Sequence, residues 1–299
     1  MLLLAVLAVP VVALLAQAGG DGPVLSEITE PRLEADIRFL SHDLLEGRAP
    51  STRGGELAAQ YIAARFAGIG LQPGAPDGTF FQPVTIVESR VSPDFTLSIS
   101  GAGAPLRLEY LKDVVAFAGV EAPEVRVDAE LVFVGFGINA PEQRWNDYDG
   151  VDVTGKIVVA MVNDPPATPQ EPDLFGGRAL TYYGRWTYKF EEAARQGAAG
   201  ALLIHTTESA SYPWQVVQSS WSGTQYSLPV EPGTPTLPLK AWVTEDAARA
   251  IAAKAGQDLD RLRDAARARG FKAVPLGIRA SAVLRQEQER RTSPNVIGV

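Results

Sequence analysis

His42 and His205 are the only histidines in this 299-residue sequence, and no Cys accompanies them. Disulfides, thiol nucleophiles and Cys-ligated zinc are therefore excluded. A complete His-rich metal centre cannot be assembled from these residues. His42 adjoins Asp43 in a helical pattern, where neighbouring side chains do not share a face. His205 closes the apolar run Ala201-Leu202-Leu203-Ile204, a usual place for a hydrogen-bonded core or rim histidine. Asp147, Asp149 and Asp152 resemble the start of a calcium loop, but Gly150 comes too early and Val158 stands at the twelfth place. The three Asp are expected instead in a solvated turn. Glu191 and Glu192 are expected on the wet face of an amphipathic helix.

Gly135-Phe136-Gly137-Ile138-Asn139-Ala140 follows a strand pattern and imitates a dinucleotide fingerprint. That motif needs a helix to open at the glycines, and Pro141 with Glu142-Gln143-Arg144 opposes one. No nucleophile elbow, P-loop or His-Glu-x-x-His is present. No residue is assigned a catalytic, cofactor-binding or metal-binding role. Hydrophobic content of 46% and charged content of 21% suit a globular protein with a sizeable core. The length allows about two domains. A net charge of −8 disfavours nucleic acid as a partner.

These residues sit among well-marked elements. Residues 1–18 form an apolar run ending in Ala16-Gln17-Ala18, which reads as a secretory signal peptide although no Lys or Arg precedes it. An uncleaved membrane anchor is the rival reading. The expected location is secreted or periplasmic, with membrane contact only if the segment stays uncleaved. Thr29 should cap a helix bearing Leu33, Ile37, Leu40 and Leu44 on one face. A loop with charged anchors follows over 44–55, then a helix with Leu57, Tyr61, Ile62, Phe66 and Ile69 that stops at Gly70. Strand character runs over 80–87 and through Phe95, Leu97 and Ile99.

Beyond Gly101 a second unit is expected, centred on a βαβ stretch. Its strands cover 131–137, 157–162 and 201–205, and its helix falls in the segment from Tyr183 to Gly197. Residues 206–238 read as a long loop carrying Tyr212, Trp214, Trp221 and Tyr226. A strand follows at 237–243. Thr244 and Asp258 should cap two helices closed by Gly256 and Gly270, and a strand should cover 273–284. Residues 285–291 look like a polar connector. Ser293-Pro294-Asn295-Val296-Ile297-Gly298-Val299 reads as a strand cut off from its sheet.

One family matches this order. Phe39-Leu40-Ser41-His42-Asp43-Leu44-Leu45-Glu46-Gly47-Arg48, Thr52, Gly54-Gly55 and the helix to Leu71-Gln72-Pro73 resemble the opening of the di-zinc aminopeptidases, the family of glutamate carboxypeptidase and the transferrin receptor. Asn146-Asp147-Tyr148, Val153-Thr154-Gly155-Lys156-Ile157-Val158-Val159 and the stretch from Phe190-Glu191-Glu192-Ala193 to Ile204 are similar to the protease-associated domain inserted in many members. Ser293-Pro294-Asn295-Val296-Ile297-Gly298 is similar to the strand where the peptidase domain resumes.

The resemblance implies an α/β fold: an incomplete zinc-peptidase domain over 24–100, a protease-associated insert over 101–285, and the first residues of the resumed domain at 293–299. It implies an aminopeptidase acting on peptide or protein substrates with two zinc ions, whose ligands and general base lie beyond residue 299. This chain alone is then expected to be inactive. The resemblance gives His42 and Asp43 a structural setting, in which Arg48 and the glycines fix the loop between two helices. The insert is expected to cap the substrate cleft, with the aromatic loop from Tyr212 to Tyr226 as a lid. The alternative is a non-catalytic module that binds proteins or peptides; a nucleotide-binding enzyme using the Gly135 region ranks behind it.

Overall fold

The computed structural model describes residues 28–299, and the expected leader over 1–18 lies outside them. Among the described residues no helix is long and apolar enough to cross a membrane. The chain divides into two compact units: one takes the residues up to Gln82 with Pro294–Val299, the other is Pro83–Ser293.

In the smaller unit, α1 covers Glu30–Leu40 and α2 covers Arg53–Gly68. Pro31 sits at the start of α1, where its missing N–H costs nothing. Leu44 is not on that helix: a short 3-10 turn, Asp43–Leu45, begins after His42 and leaves Leu44 exposed. Thr52 caps α2, its hydroxyl accepting the Gly55 N–H at 3.2 Å and donating to the Ala49 carbonyl at 2.7 Å. Phe39 stacks on Tyr61 with ring centres 4.2 Å apart, and the Tyr61 hydroxyl donates to Asp36 at 2.6 Å. Residues 297–299 are not an orphan strand. Gln72 and Val299 exchange both backbone hydrogen bonds at 2.9 and 3.0 Å, and Ile297 N–H donates to the Phe80 carbonyl at 2.8 Å.

In the larger unit the strands β1 (Phe81–Val91), β2 (Thr96–Ser100), β3 (Leu106–Glu109), β4 (Val114–Ala118) and β5 (Glu124–Phe133) precede a small ladder, β6 (Asn139–Ala140) with β7 (Trp145–Asn146). Then come β8 (Ile157–Met161), α3 (Trp186–Arg195), β9 (Gly200–His205), α4 (Thr207–Ala210), α5 (Trp214–Ser220), β10 (Thr224–Ser227), β11 (Leu239–Thr244), α6 (Glu245–Lys254), α7 (Leu259–Ala266) and β12 (Val274–Val296). Ten strands form one mixed sheet with the order β10-β1-β12-β5-β8-β9-β11-β4, while β2 pairs with β12 and β3. The contiguous strands β5, β8, β9 and β11 are parallel.

Parallel neighbours need crossovers, and crossovers cover faces. Phe190, Ala193 and Ala194 of α3 pack with Val217, Trp221 and Trp242 on one face. Ala248 and Ile251 of α6 and Leu262 and Ala266 of α7 pack on the other. Both faces being dry, β8 and β9 are apolar throughout rather than alternating.

Four expectations change here. β1 and β2, expected with the first part, belong mostly or wholly to the larger unit: β1 pairs with β10, and β2 with β12 and β3. Such non-local pairing leaves no local trace. Residues 285–291 are strand, not connector. They continue β12 with Arg285 on Glu124 at 3.0 Å, Arg290 on Glu121 at 2.8 Å and Arg291 on Glu88 at 3.1 Å. The region 206–238 holds α4, α5 and β10. Its aromatics are not a free flap either: Trp221 is buried against Phe117, Phe190 and Trp242, and Trp214 Nε1 donates to the Leu111 carbonyl at 3.0 Å. Trp221 could not lift away without exposing the sheet, whereas Tyr226 at the end of the segment is exposed.

The glycine pair at the start of α2 gives a test. A Cβ on Gly54 would lie 1.6 Å from the Leu45 carbonyl oxygen, whereas one on Gly68, in the same helix, would meet nothing within 4 Å. Gly54→Ala should destabilise by about 1–3 kcal/mol despite alanine's better helix propensity. Gly68→Ala should stabilise by about 0.4–1 kcal/mol. Urea midpoints of the two variants should move in opposite directions.

Candidate functional site

In an open sheet with parallel strands, ligand crevices form beyond the strands' carboxyl ends. Here β5, β8, β9 and β11 all point to one edge of the larger unit. A cavity of about 370 Å³ lies there, lined by Phe136 after β5, Asn163 and Asp164 after β8, Thr206 after β9, and Arg263 and Arg267 from α7 and its end. It is the best-positioned crevice for a ligand in this unit.

Asn163 sets its floor. Its φ is +70°, a conformation that asparagine tolerates better than most residues. Three hydrogen bonds hold it there. Its N–H donates to the Gly184 carbonyl at 2.9 Å, its side-chain Nδ2 donates to the Ser209 carbonyl at 2.8 Å, and its own carbonyl accepts from Lys189 Nζ at 3.1 Å. Asp164 is also engaged, accepting the Thr181 N–H and hydroxyl at 2.7 Å each.

Lys189 is only 1% exposed, and so is Asp147. Asp147 accepts from the Ile138 N–H at 3.0 Å and from Trp145 Nε1 at 2.8 Å, which fastens the β6–β7 ladder. The two charges attract, yet burial dominates both. It pushes the Asp147 carboxyl up to about 6 and the Lys189 ammonium down to about 7. Removing two ions from water costs more than their mutual attraction returns.

At the rim, Arg263 meets Glu245 at 3.2 Å, Asp260 at 3.8 Å and Glu208 at 3.9 Å. Arg267 faces Asp264 at 3.8 Å. The Thr206 and Ser209 hydroxyls bond to each other at 2.8 Å. The one hydroxyl described against a crevice carboxylate is that of Thr181 on Asp164, and Asp164 also accepts the Thr181 N–H, so the pair reads as a turn lock; the arrangement can hold a polar ligand. Among the described residues no group of three His, Cys, Asp or Glu side chains is placed to hold a metal ion.

Residues singled out in the sequence fall in scattered places. His42 is exposed, its Nδ1 accepting the Leu44 N–H at 3.1 Å as a cap. His205 is buried among Tyr212, Trp214 and Trp242, and burial lowers its pKa against a hydrogen bond to the Tyr212 backbone. After Gly135 and Gly137 no helix opens; β6 and a 3-10 turn, Pro141–Gln143, follow. Of the three Asp expected in a solvated turn, Asp149 and Asp152 are exposed but Asp147 is not. Glu192, expected on a wet face, is also buried and accepts from Arg195 Nε at 2.8 Å and Gln196 Nε2 at 2.7 Å. Nothing in the sequence pattern marked Lys189, because an amphipathic helix ordinarily turns its lysines to water. Asn163 was missed as well, since one residue with positive φ has no pattern.

No protein-family model matches the chain, and no curated protein matches it. Among solved structures it is similar to an aminopeptidase from Aneurinibacillus sp. strain AM-1, at 20% identity and a TM-score of 0.46, over 93% of this chain and 50% of that one. The chain thus spans half the length of that protein.

The buried pair sets a pH dependence. Because the folded-state pKa of Asp147 is raised above its ordinary 3.8, its contribution is fully present below about pH 4 and is lost as pH rises through about 6. Asp147→Asn removes that proton uptake. The stability of the wild type relative to the variant should therefore fall between pH 4 and 6, as read by urea unfolding at each pH. A flat difference would show that Asp147 is already ionised at the acid end.

Proposed function

We propose that this chain is the N-terminal portion of a secreted or periplasmic zinc-dependent aminopeptidase, with Pro83–Ser293 as its protease-associated insert. The resemblance of residues 39–73 carries the family. The observation that carries the reading is the apolar surface of the smaller unit. Leu33, Ile37, Phe39, Leu57 and Ile69 are all exposed, Ile37 by 64% and Ile69 by 67%. Several large apolar side chains left in water on two helices are what a further part of the same domain would cover. The glycine pair supports the structural role given to the opening motif: Gly54 and Gly55 let the start of α2 close on the Leu45 and Ala49 carbonyls.

The described residues do not fit a zinc centre. On this reading the metal ligands and the general base lie beyond residue 299, and the present chain supplies scaffold and insert. The second reading is a non-catalytic peptide-binding module. It is favoured by the crevice at the strand ends, whose polar groups are bound to one another rather than poised for reaction.

The gene product extended past residue 299 should hydrolyse leucine p-nitroanilide, lose the activity to a chelator and regain it with zinc. The 299-residue chain should leave that substrate intact. Chelator-sensitive turnover by the 299-residue chain would overturn the placement of the ligands. An inert extended product would leave the binding module.

A further inference from the structure

Lys240 lies on β11, in register with Phe117 of β4. Its stem runs against the backbone of Gly119, where a Cβ would meet Lys240 Cε at 2.6 Å and the Leu237 carbonyl oxygen at 2.3 Å. Glycine at 119 is therefore what gives the lysine its course. The ammonium ends 5.5 Å from the centre of the Phe117 ring. Among the described residues no hydrogen-bond acceptor or ion-pair partner reaches it; Glu191 acts on it only through its field. Burial accordingly lowers its pKa.

The ammonium faces a cavity of about 300 Å³, within the larger unit, whose walls include Phe117, Trp186, Tyr226, Leu228 and Val230. Four of these, Trp186, Tyr226, Leu228 and Val230, are large apolar side chains exposed at the cavity. Glu121 also lines it, but that carboxylate is held by Arg290 at 2.8 and 2.9 Å. Lys240 is thus the one unspent charge among the described residues of the cavity, a cation with three free donors in a chamber whose remaining polar lining is the neutral Ser89, Gln225, Ser227 and Gln288. A half-buried ammonium has lost part of its hydration, which an anion would restore, and apolar walls favour the rest of such a ligand.

We propose that this cavity binds a monocarboxylate with a compact apolar group, its carboxylate on Lys240 and its apolar part against Phe117, Trp186 and Val230. The shared chemistry fits either a free medium-chain acid or the C-terminal residue of a peptide. This inference does not rest on peptidase activity, and its test reads binding alone.

Titrating the full chain calorimetrically with hexanoate and N-acetyl-leucine distinguishes the sources, with hexanol and N-acetyl-leucinamide as uncharged partners. At least one carboxylate should bind about ten-fold or more tightly than its uncharged partner, the scale of one charge-assisted hydrogen bond. Preference for hexanoate points to free acids, and preference for N-acetyl-leucine to peptide termini. Lys240→Met should erase the difference. A measurement on the unaltered protein guards against a variant that fails to fold: the bound carboxylate should slow reductive methylation of Lys240, followed by mass spectrometry, and leave Lys112 unaffected. Equal affinity for acid and uncharged partner, no binding of either acid, or unprotected Lys240 would each overturn the proposal.

Discussion

Four neighbouring parallel strands impose the main constraint on the larger unit. Each must be reached by a crossover, and each crossover brings apolar surface that has to be buried against the sheet. Helix α3, between β8 and β9, meets this need on one face, while α6 and α7, which lead from β11 to the antiparallel β12, cover the other. The aromatic segment 212–226 exists for the same reason. Past α3 the sheet face over β4 and β11 would be open to water, and Trp221, set between Phe117, Phe190 and Trp242, closes it.

The same constraint produces the polar chemistry at the strand ends. Where parallel strands stop, backbone groups lose their ladder partners and need others in a place already half dry. Asn163, Asp164 and Asp147 supply them after β8 and around β6–β7, and Lys189 reaches from α3 to the Asn163 carbonyl. A lysine is long enough to bring a donor through a packed helix face, which an isosteric apolar residue could not do. The cost is a buried charge, offset in part by Asp147. That is why the crevice is stiff and why its polar atoms are not poised for reaction.

Elements with local signatures were legible in the sequence. Thr244 and Asp258 cap α6 and α7 as their side chains suggest, accepting from the Ala247 and Arg261 N–H groups at 3.1 and 2.9 Å. Gly197, Gly256 and Gly270 take positive φ after helices, as glycine there allows. The apolar runs of β8 and β9 announced buried strands. What escaped depended on partners remote in sequence. The polar half of β12 is strand because it continues beside β1, a neighbour remote in sequence, with Arg285, Arg290 and Arg291 paired to Glu124, Glu121 and Glu88 along it. Lys189 and Glu192 are buried because α3 is covered on more than one side, which a single amphipathic stripe does not reveal. Of the candidate crevice only its place, at the end of the expected βαβ unit, could be inferred beforehand.

Two lysines then separate scaffold from recognition by the same physical test. Lys189 is fully buried, yet its ammonium has an acceptor in the Asn163 carbonyl and a nearby carboxylate, so its burial is explained inside the fold. Removing it would orphan groups that shape the strand ends. Lys240 is only half-buried, but nothing in the described fold accepts its protons, and the aromatic ring beneath it is a weak substitute for water or an anion. Strand packing at that position needs no charge, since Leu239 and Ala241 on either side serve the core. A group whose cost the fold does not recover is more economically explained by something the fold binds. By that criterion Lys240, unlike Lys189, marks a second place where this unit is built to meet a ligand.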